Sequence, residues 1–182
     1  MNVLSQNPYL LVHICCAPDA TVVHEELKDQ YRLIFYFYNP NIHPQDEYEK
    51  RRKEVQKLSQ ILKIPLICDE YDPENWHETT KGYECEPEKG ARCELCYRIR
   101  LEKACETAER KMCNLFTTVL SVSPHKNAAL TNSIGSELVK GKTVDFLPAD
   151  FKKKNGFKRS IELSKTYNLY RQNYCGCIYS KR

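Results

Sequence analysis

Ten cysteines stand among 182 residues, and six of them fall in three tight groups: Cys15-Cys16, Cys93-x-x-Cys96 and Cys175-Gly176-Cys177. Such groups in a reducing compartment bind metal or carry redox chemistry, whereas a secreted disulfide framework belongs to shorter, exported chains. Two residues between Cys93 and Cys96 let both sulfurs face one metal, and the start of a helix favours thiolate over thiol. That pair alone fits a thioredoxin-type redox couple, half a zinc site or half a cluster site. Adjacent Cys15 and Cys16 can ligate together only where the chain turns, since neighbours in a strand point to opposite faces. Pro18 marks such a turn. The plainer reading makes one of the two a core residue. Four thiols at such positions suit zinc or an iron–sulfur cluster. The Cys-Cys element is an awkward zinc knuckle, which favours the cluster. Cys175 and Cys177 could close a small, strained and labile disulfide that stores two electrons, or could be two further ligands.

Other polar residues lie where chemistry is expected. Asp19 could ligate a metal or cap the helix after the turn. His43, in Asn39-Pro40-Asn41-Ile42-His43-Pro44, could donate a proton or bind phosphate. Ser121, Ser123, His125 and Lys126 precede a helix start that could bind an anion. His13 sits inside an apolar strand and reads as a hydrogen-bonded core histidine. Cys68, Cys105 and Cys113 read as core, and Cys85 as a spare ligand.

The elements that must position these groups alternate. Strands are predicted at 9–14, 32–38, 64–68, 115–120 and 143–147. Helices are predicted at 21–30, 46–62, 94–112, from Pro124 to about 139, and at 157–167. This order specifies an α/β fold with a mainly parallel sheet, which binds ligands beyond the carboxyl ends of its strands. Residues 72–96 read as a long irregular insert. One domain over 1–182 is expected, with enough chain to bury a core.

No run of apolar residues is long enough to span a membrane. The first twenty residues lack a basic start and a small-residue cleavage site, so no secretory signal and a cytoplasmic location are expected. The net charge is +4, but residues 150–182 carry +7 and residues 1–149 carry −3. A basic end suits a phosphate-rich partner or a solvated helix. Tyr167, Tyr170, Tyr174 and Tyr179 interleave with Arg159, Lys165 and Arg171, a pattern that fits unstacked bases or ordinary packing.

Six stretches in order carry a resemblance: HICCAPD (13–19), YNPNIHP (38–44), GARCELCYRIRL (90–101), FTTVLSVSPHKN (116–127), DFKKKNGFKRS (150–160) and YRQNYCGC (170–177). With them the chain resembles the QueH-type epoxyqueuosine reductases. The resemblance implies a Rossmann-like, PP-loop-like fold with a cysteine-rich insert and a basic C-terminal segment. It implies reduction of the epoxide of epoxyqueuosine at the tRNA wobble position, giving queuosine and water in the last step of that modification. It also implies a 4Fe–4S cluster on Cys15, Cys16, Cys93 and Cys96, a redox-active Cys175/Cys177 disulfide, and an electron donor. An additional mononuclear iron beside the cluster, with Asp19 as ligand, is compatible with it. His43 or a nearby tyrosine is then the expected proton donor to the leaving oxygen. The fold is also similar to that of tRNA-thiolating enzymes, but HICCAPD replaces their SGG-type pyrophosphate loop, so ATP use is not expected. The rival readings are a cluster-dependent tRNA sulfur transferase and a zinc-stabilised RNA-binding module.

Overall fold

The computed structural model describes residues 7–181. Five strands form one sheet: β1 (Tyr9–His13), β2 (Arg32–Phe37), β3 (Leu66–Cys68), β4 (Leu115–Thr118) and β5 (Asp145–Phe146), in the order β3-β2-β1-β4-β5. All four pairings are parallel. β1 is central because it is apolar on both faces: Leu10, Leu11 and Val12 are fully buried. Leu10 sits beside Leu33 on one side and Leu115 on the other.

Helices cover the sheet. α1 (Ala17–Leu27) packs against α2 (Gln45–Leu62) and α6 (Gly156–Thr166). α4 (Ala91–Arg110) packs against α3 (Pro73–Thr80) and α5 (Ala128–Leu138). The α/β class and parallel sheet expected from the sequence are therefore present. The strand order reverses between β1 and β4, and the crevice beyond their carboxyl ends is the place where such sheets bind ligands.

Three local readings differ from the structure. The stretch 72–96 is not wholly irregular: it contains α3 and the first turns of α4. Asp72 caps α3 by accepting a hydrogen bond from the Asn75 amide at 3.2 Å, and Pro73 starts its first turn. The predicted fourth strand stops at Thr118, whose hydroxyl accepts from the Leu120 amide at 3.2 Å and turns Val119–Val122 into a 3-10 turn. α1 begins at Ala17, not residue 21, because extended Cys16 ends the strand segment and Pro18 fits the helix's first turn.

His13 is the core histidine expected. It is fully buried, with Nδ1 2.9 Å from Thr118 Oγ1 and Nε2 3.1 Å from the Tyr38 carbonyl. These bonds tie β1 to β4 and to the end of β2 directly beneath the crevice.

Candidate metal and redox centre

The chain turns at Cys15-Cys16 where β1 gives way to α1. The two thiols lie 3.9 Å apart, within reach of a sulfur hydrogen bond. Across this contact the Cys16 side chain, aided by Arg100, Lys126 and Arg51 against burial, draws Cys15 toward thiolate, while contact with Cys15 and burial push Cys16 up. Asp19, in the first turn of α1, joins them: donor atoms of Cys15, Cys16 and Asp19 all lie within 4.8 Å of one another, and all three residues are buried. Burial, then the charge of Cys15, pushes the Asp19 carboxyl up to about 7. Two sulfurs and an oxygen so placed can hold a metal ion.

Cys93 and Cys96 occupy the first turns of α4, as their spacing predicts. Cys93 Sγ accepts from the Lys89 amide at 3.3 Å and is partly exposed. Cys96 is buried in a small cluster with Trp76 and Cys177. Burial pushes its thiol up, and Arg100, one helical turn on, opposes this.

The Cys-Gly-Cys element returns to the same place from the far end of the chain. Cys175 Sγ lies 3.0 Å from Lys126 Nζ. Burial alone would raise this thiol, but the charge and hydrogen bond of Lys126, with Arg100, bring it below the ordinary value. Cys177 differs: burial pushes it up to about 11. Both are free thiols. Arg51 anchors the loop by donating from Nη1 to the Cys175 carbonyl at 3.0 Å and from Nη2 to the Tyr174 carbonyl at 3.1 Å. Its Nε donates to Glu47 at 2.7 Å. Gly176 has φ 108°, and a Cβ there would come 2.9 Å from Ile42 Cγ1 and 3.1 Å from Arg51 Nη1. Only glycine fits this turn.

Cys15, Asp19, Lys126 and Cys175 meet at a cavity of about 470 Å³, whose wall also includes Arg171 and Tyr174; Cys16, Cys93, Cys96 and Cys177 are not on that wall. Ser123 and His125 are on it too, so the loop after β4 contributes as expected. His43 is not on that wall. Its ring packs against His77 and Trp76, with centroids 4.7 and 5.1 Å away. Its Nδ1 meets the Asn41 carbonyl at 2.9 Å, and its Nε2 is buried without a partner. The His43 backbone braces the Cys-Gly-Cys loop: its amide donates to the Gly176 carbonyl at 2.8 Å, and its carbonyl accepts from the Tyr174 hydroxyl.

The tyrosines divide between packing and the site. Tyr170 bonds Glu47 and lies under Lys50, 3.5 Å from its ring centroid. Tyr179 packs against Trp76 and beneath Arg92. Tyr167 packs on the core, and Arg159 pairs with Glu25 and Glu162 on the surface. Of the seven, Tyr174 and Arg171 reach the cavity.

Sequence reading missed Arg51, Trp76 and Arg100. Arg100 had a usable signal, since it follows Cys96 by four residues on one helical face. Arg51 and Trp76 had none, because their partners are remote in sequence.

Comparison with known proteins agrees with this arrangement. A family model described as "Epoxyqueuosine reductase QueH" matches residues 10–182. A curated epoxyqueuosine reductase QueH of Streptococcus pyogenes serotype M1 is 38% identical, over 98% of this chain and 72% of its own. That of Haemophilus influenzae is 41% identical, over 95% and 71%. That of Thermotoga maritima is 36% identical, over 94% and 89%. Among solved structures, the U34-tRNA thiolase NcsA from Methanococcus maripaludis with its [4Fe-4S] cluster aligns with a TM-score of 0.62 at 15% identity. It covers 99% of this chain, which spans 63% of that one. A predicted tRNA methyltransferase subunit from Methanocaldococcus jannaschii aligns with a TM-score of 0.56 at 14% identity, over 86% of this chain and 74% of its own. Identities so low establish the shared fold alone. The family model over residues 10–182 and the matches over 94–98% of this chain at 36–41% identity place the chain in the epoxyqueuosine reductase QueH family.

Proposed function

We infer that this chain reduces the epoxide of epoxyqueuosine at the tRNA wobble position to the alkene of queuosine, releasing water. The observation that carries this, beyond family membership, is the meeting of thiols from three distant segments around two buried cations at the β1/β4 crevice. The donor set fits a 4Fe–4S cluster held by Cys15, Cys16, Cys93 and Cys96: the sulfurs sit at a strand end and a helix start, and buried positive charge faces them. When bound, such a cluster would supply electrons one at a time; with four thiolates it has no open iron, so an electrophile for the epoxide oxygen would come from a neighbouring iron or a proton donor. Asp19, beside Cys15 and Cys16, is the oxygen donor available to that second iron.

The chain's own residues do the rest. The reduction consumes two electrons and two protons. Closing Cys175 and Cys177 to a disulfide releases two electrons, with Cys175 as the thiolate-prone partner and Cys177 as the protonated one. Cys177 releases one proton. The cavity wall offers the second, from the Tyr174 phenol. Tyr174 keeps its proton because burial raises it. His43 serves this step through Tyr174, whose hydroxyl it holds. An external reductant restores the dithiol. A tRNA substrate agrees with the cationic wall of the cavity and the basic C-terminal segment, and a single-stranded anticodon loop lets a base enter it.

Anaerobic purification followed by iron and sulfide analysis tests the cofactor. About four irons and four sulfides per chain are expected, with further iron reporting the Asp19 site. Zinc without sulfide would favour an RNA-binding module, and sulfur incorporation with ATP consumption a sulfur transferase. Cys175→Ser should keep the cluster spectrum while multiple-turnover reduction falls at least about 100-fold, in the range of removing a catalytic group. Full turnover in that variant would remove the dithiol from the mechanism.

A further inference from the structure

Two cations are buried without a carboxylate to neutralise them. Arg100 is 1% exposed and Lys126 9%. Among the described residues, every ion pair is made by other groups. Buried Arg51 shows the usual arrangement, with Glu47 at 2.7 Å. Arg100 instead donates from Nη2 to the neutral amide of Asn39 at 2.7 Å, and its Nε has no partner. Lys126 Nζ meets the Cys175 sulfur. Burying a charge without an opposite one is strongly unfavourable, and a guanidinium cannot escape by losing its proton.

The compensating charge must therefore come from the groups that face them, and these are thiols. Cys96, Cys15 and Cys175 act on Arg100. Cys175, Tyr97 and Cys15 act on Lys126. Asp19 feels Arg171 more than Lys126, and among the described residues it forms no ion pair. The two cations come from separate places, the third turn of α4 and the loop after β4, and Lys126 Nζ lies 3.0 Å from the Cys175 sulfur.

We propose that Arg100 and Lys126 are a fixed counter-charge for the thiolate centre, and that their positive charge sets its reduction potential and the reactivity of Cys175. They are positioning residues: they act on substrate only through the sulfurs. The proposal rests on the cluster reading above. Positive charge held close favours the more negative, reduced form of a cluster, so it raises the potential. The same charge keeps Cys175 in its nucleophilic form.

The test uses the reconstituted holoprotein, with iron and sulfide measured for each variant. Redox titration of the cluster should show Arg100→Gln and Lys126→Gln reduced at least tenfold less readily at a given potential, a fall of about 59 mV for one electron. Arg100→Lys and Lys126→Arg keep the charge and should recover most of the fall, which a role in packing alone would not require. Wild-type potentials in both glutamine variants, at full iron and sulfide, would overturn the proposal. A second arm needs no cluster. Iodoacetamide alkylation of Cys175 in metal-free protein, read by mass spectrometry at about pH 7, should slow at least tenfold in Lys126→Gln and recover in Lys126→Arg. If the wild type takes up no cluster, the cofactor reading fails by itself. The alkylation arm then decides the cation pair: a tenfold loss upholds it, and an unchanged rate overturns it.

Discussion

At the scale of single residues, position in the site depends on small steric and electrostatic facts. Gly176 is the clearest. Its φ of 108° and the 2.9 Å approach of Ile42 leave no room for a side chain. Gly176→Ala should shift Cys175 off Lys126, cost about 1–3 kcal/mol of stability, and cut reductase activity at least tenfold while iron content stays at the wild-type value. Unchanged activity would mean that the loop's conformation does not matter to turnover. His43 gives a pH prediction. Burial lowers its affinity for a proton in the folded state, so below about pH 6.5 the unfolded chain binds the proton more readily. The neutral ring therefore contributes stability that is present above that pH and lost as pH falls through the window toward the folded value. His43→Asn should flatten the acid limb of a plot of urea midpoint against pH. An unaltered slope would show that this ring does not contribute to it.

At the scale of elements, the helices deliver groups that the strands cannot. α4 carries Cys93, Cys96 and Arg100 along adjacent turns, and α2 carries Arg51 to the carbonyls of the Cys-Gly-Cys loop. α3 buries Thr80 and Trp76, and Trp76 is fully enclosed against Cys96 and Cys177. The Asp72 side chain and Pro73 start that helix, so Asp72→Ala should cost about 1 kcal/mol. Its signature is faster amide exchange across residues 73–80 with little change in β1. Uniformly faster exchange over the whole chain would show that α3 is not a separate local unit. Asp72-Pro73-Glu74 was a readable helix start, and the acidic, glycine-containing sequence after it concealed that signal.

At the scale of the whole molecule, the centre joins residues 15–19, 91–97, 126 and 174–177, four regions that otherwise meet only through the sheet and its helices. A bound metal centre would cross-link the first two and neutralise the buried cations. Stripping the metal from the holoprotein should thus lower the melting temperature, and loss of amide protection should concentrate in those regions. A melting temperature that does not move on metal removal would show that the thiols contribute no folding energy through a ligand.

The alternation of apolar strands with amphipathic helices, the parallel sheet and the three cysteine groups were legible in the sequence, because each is a local pattern of period, composition or spacing. His13 was legible as core for the same reason: its neighbours in the strand are apolar. The family likeness was legible through motifs spread over the chain. What only the tertiary structure decided is which side chains confront one another across long separations. Cys175 and Lys126 are 49 positions apart, and Arg51 and Cys175 are 124 apart. No local pattern encodes such pairs; they follow from the reversal of strand order at β1 and β4 and from the return of the last segment to that crevice. The same folding left His43 off the cavity wall and brought two unpaired cations to the thiols, because burial is shared by all the chain segments that close around a site.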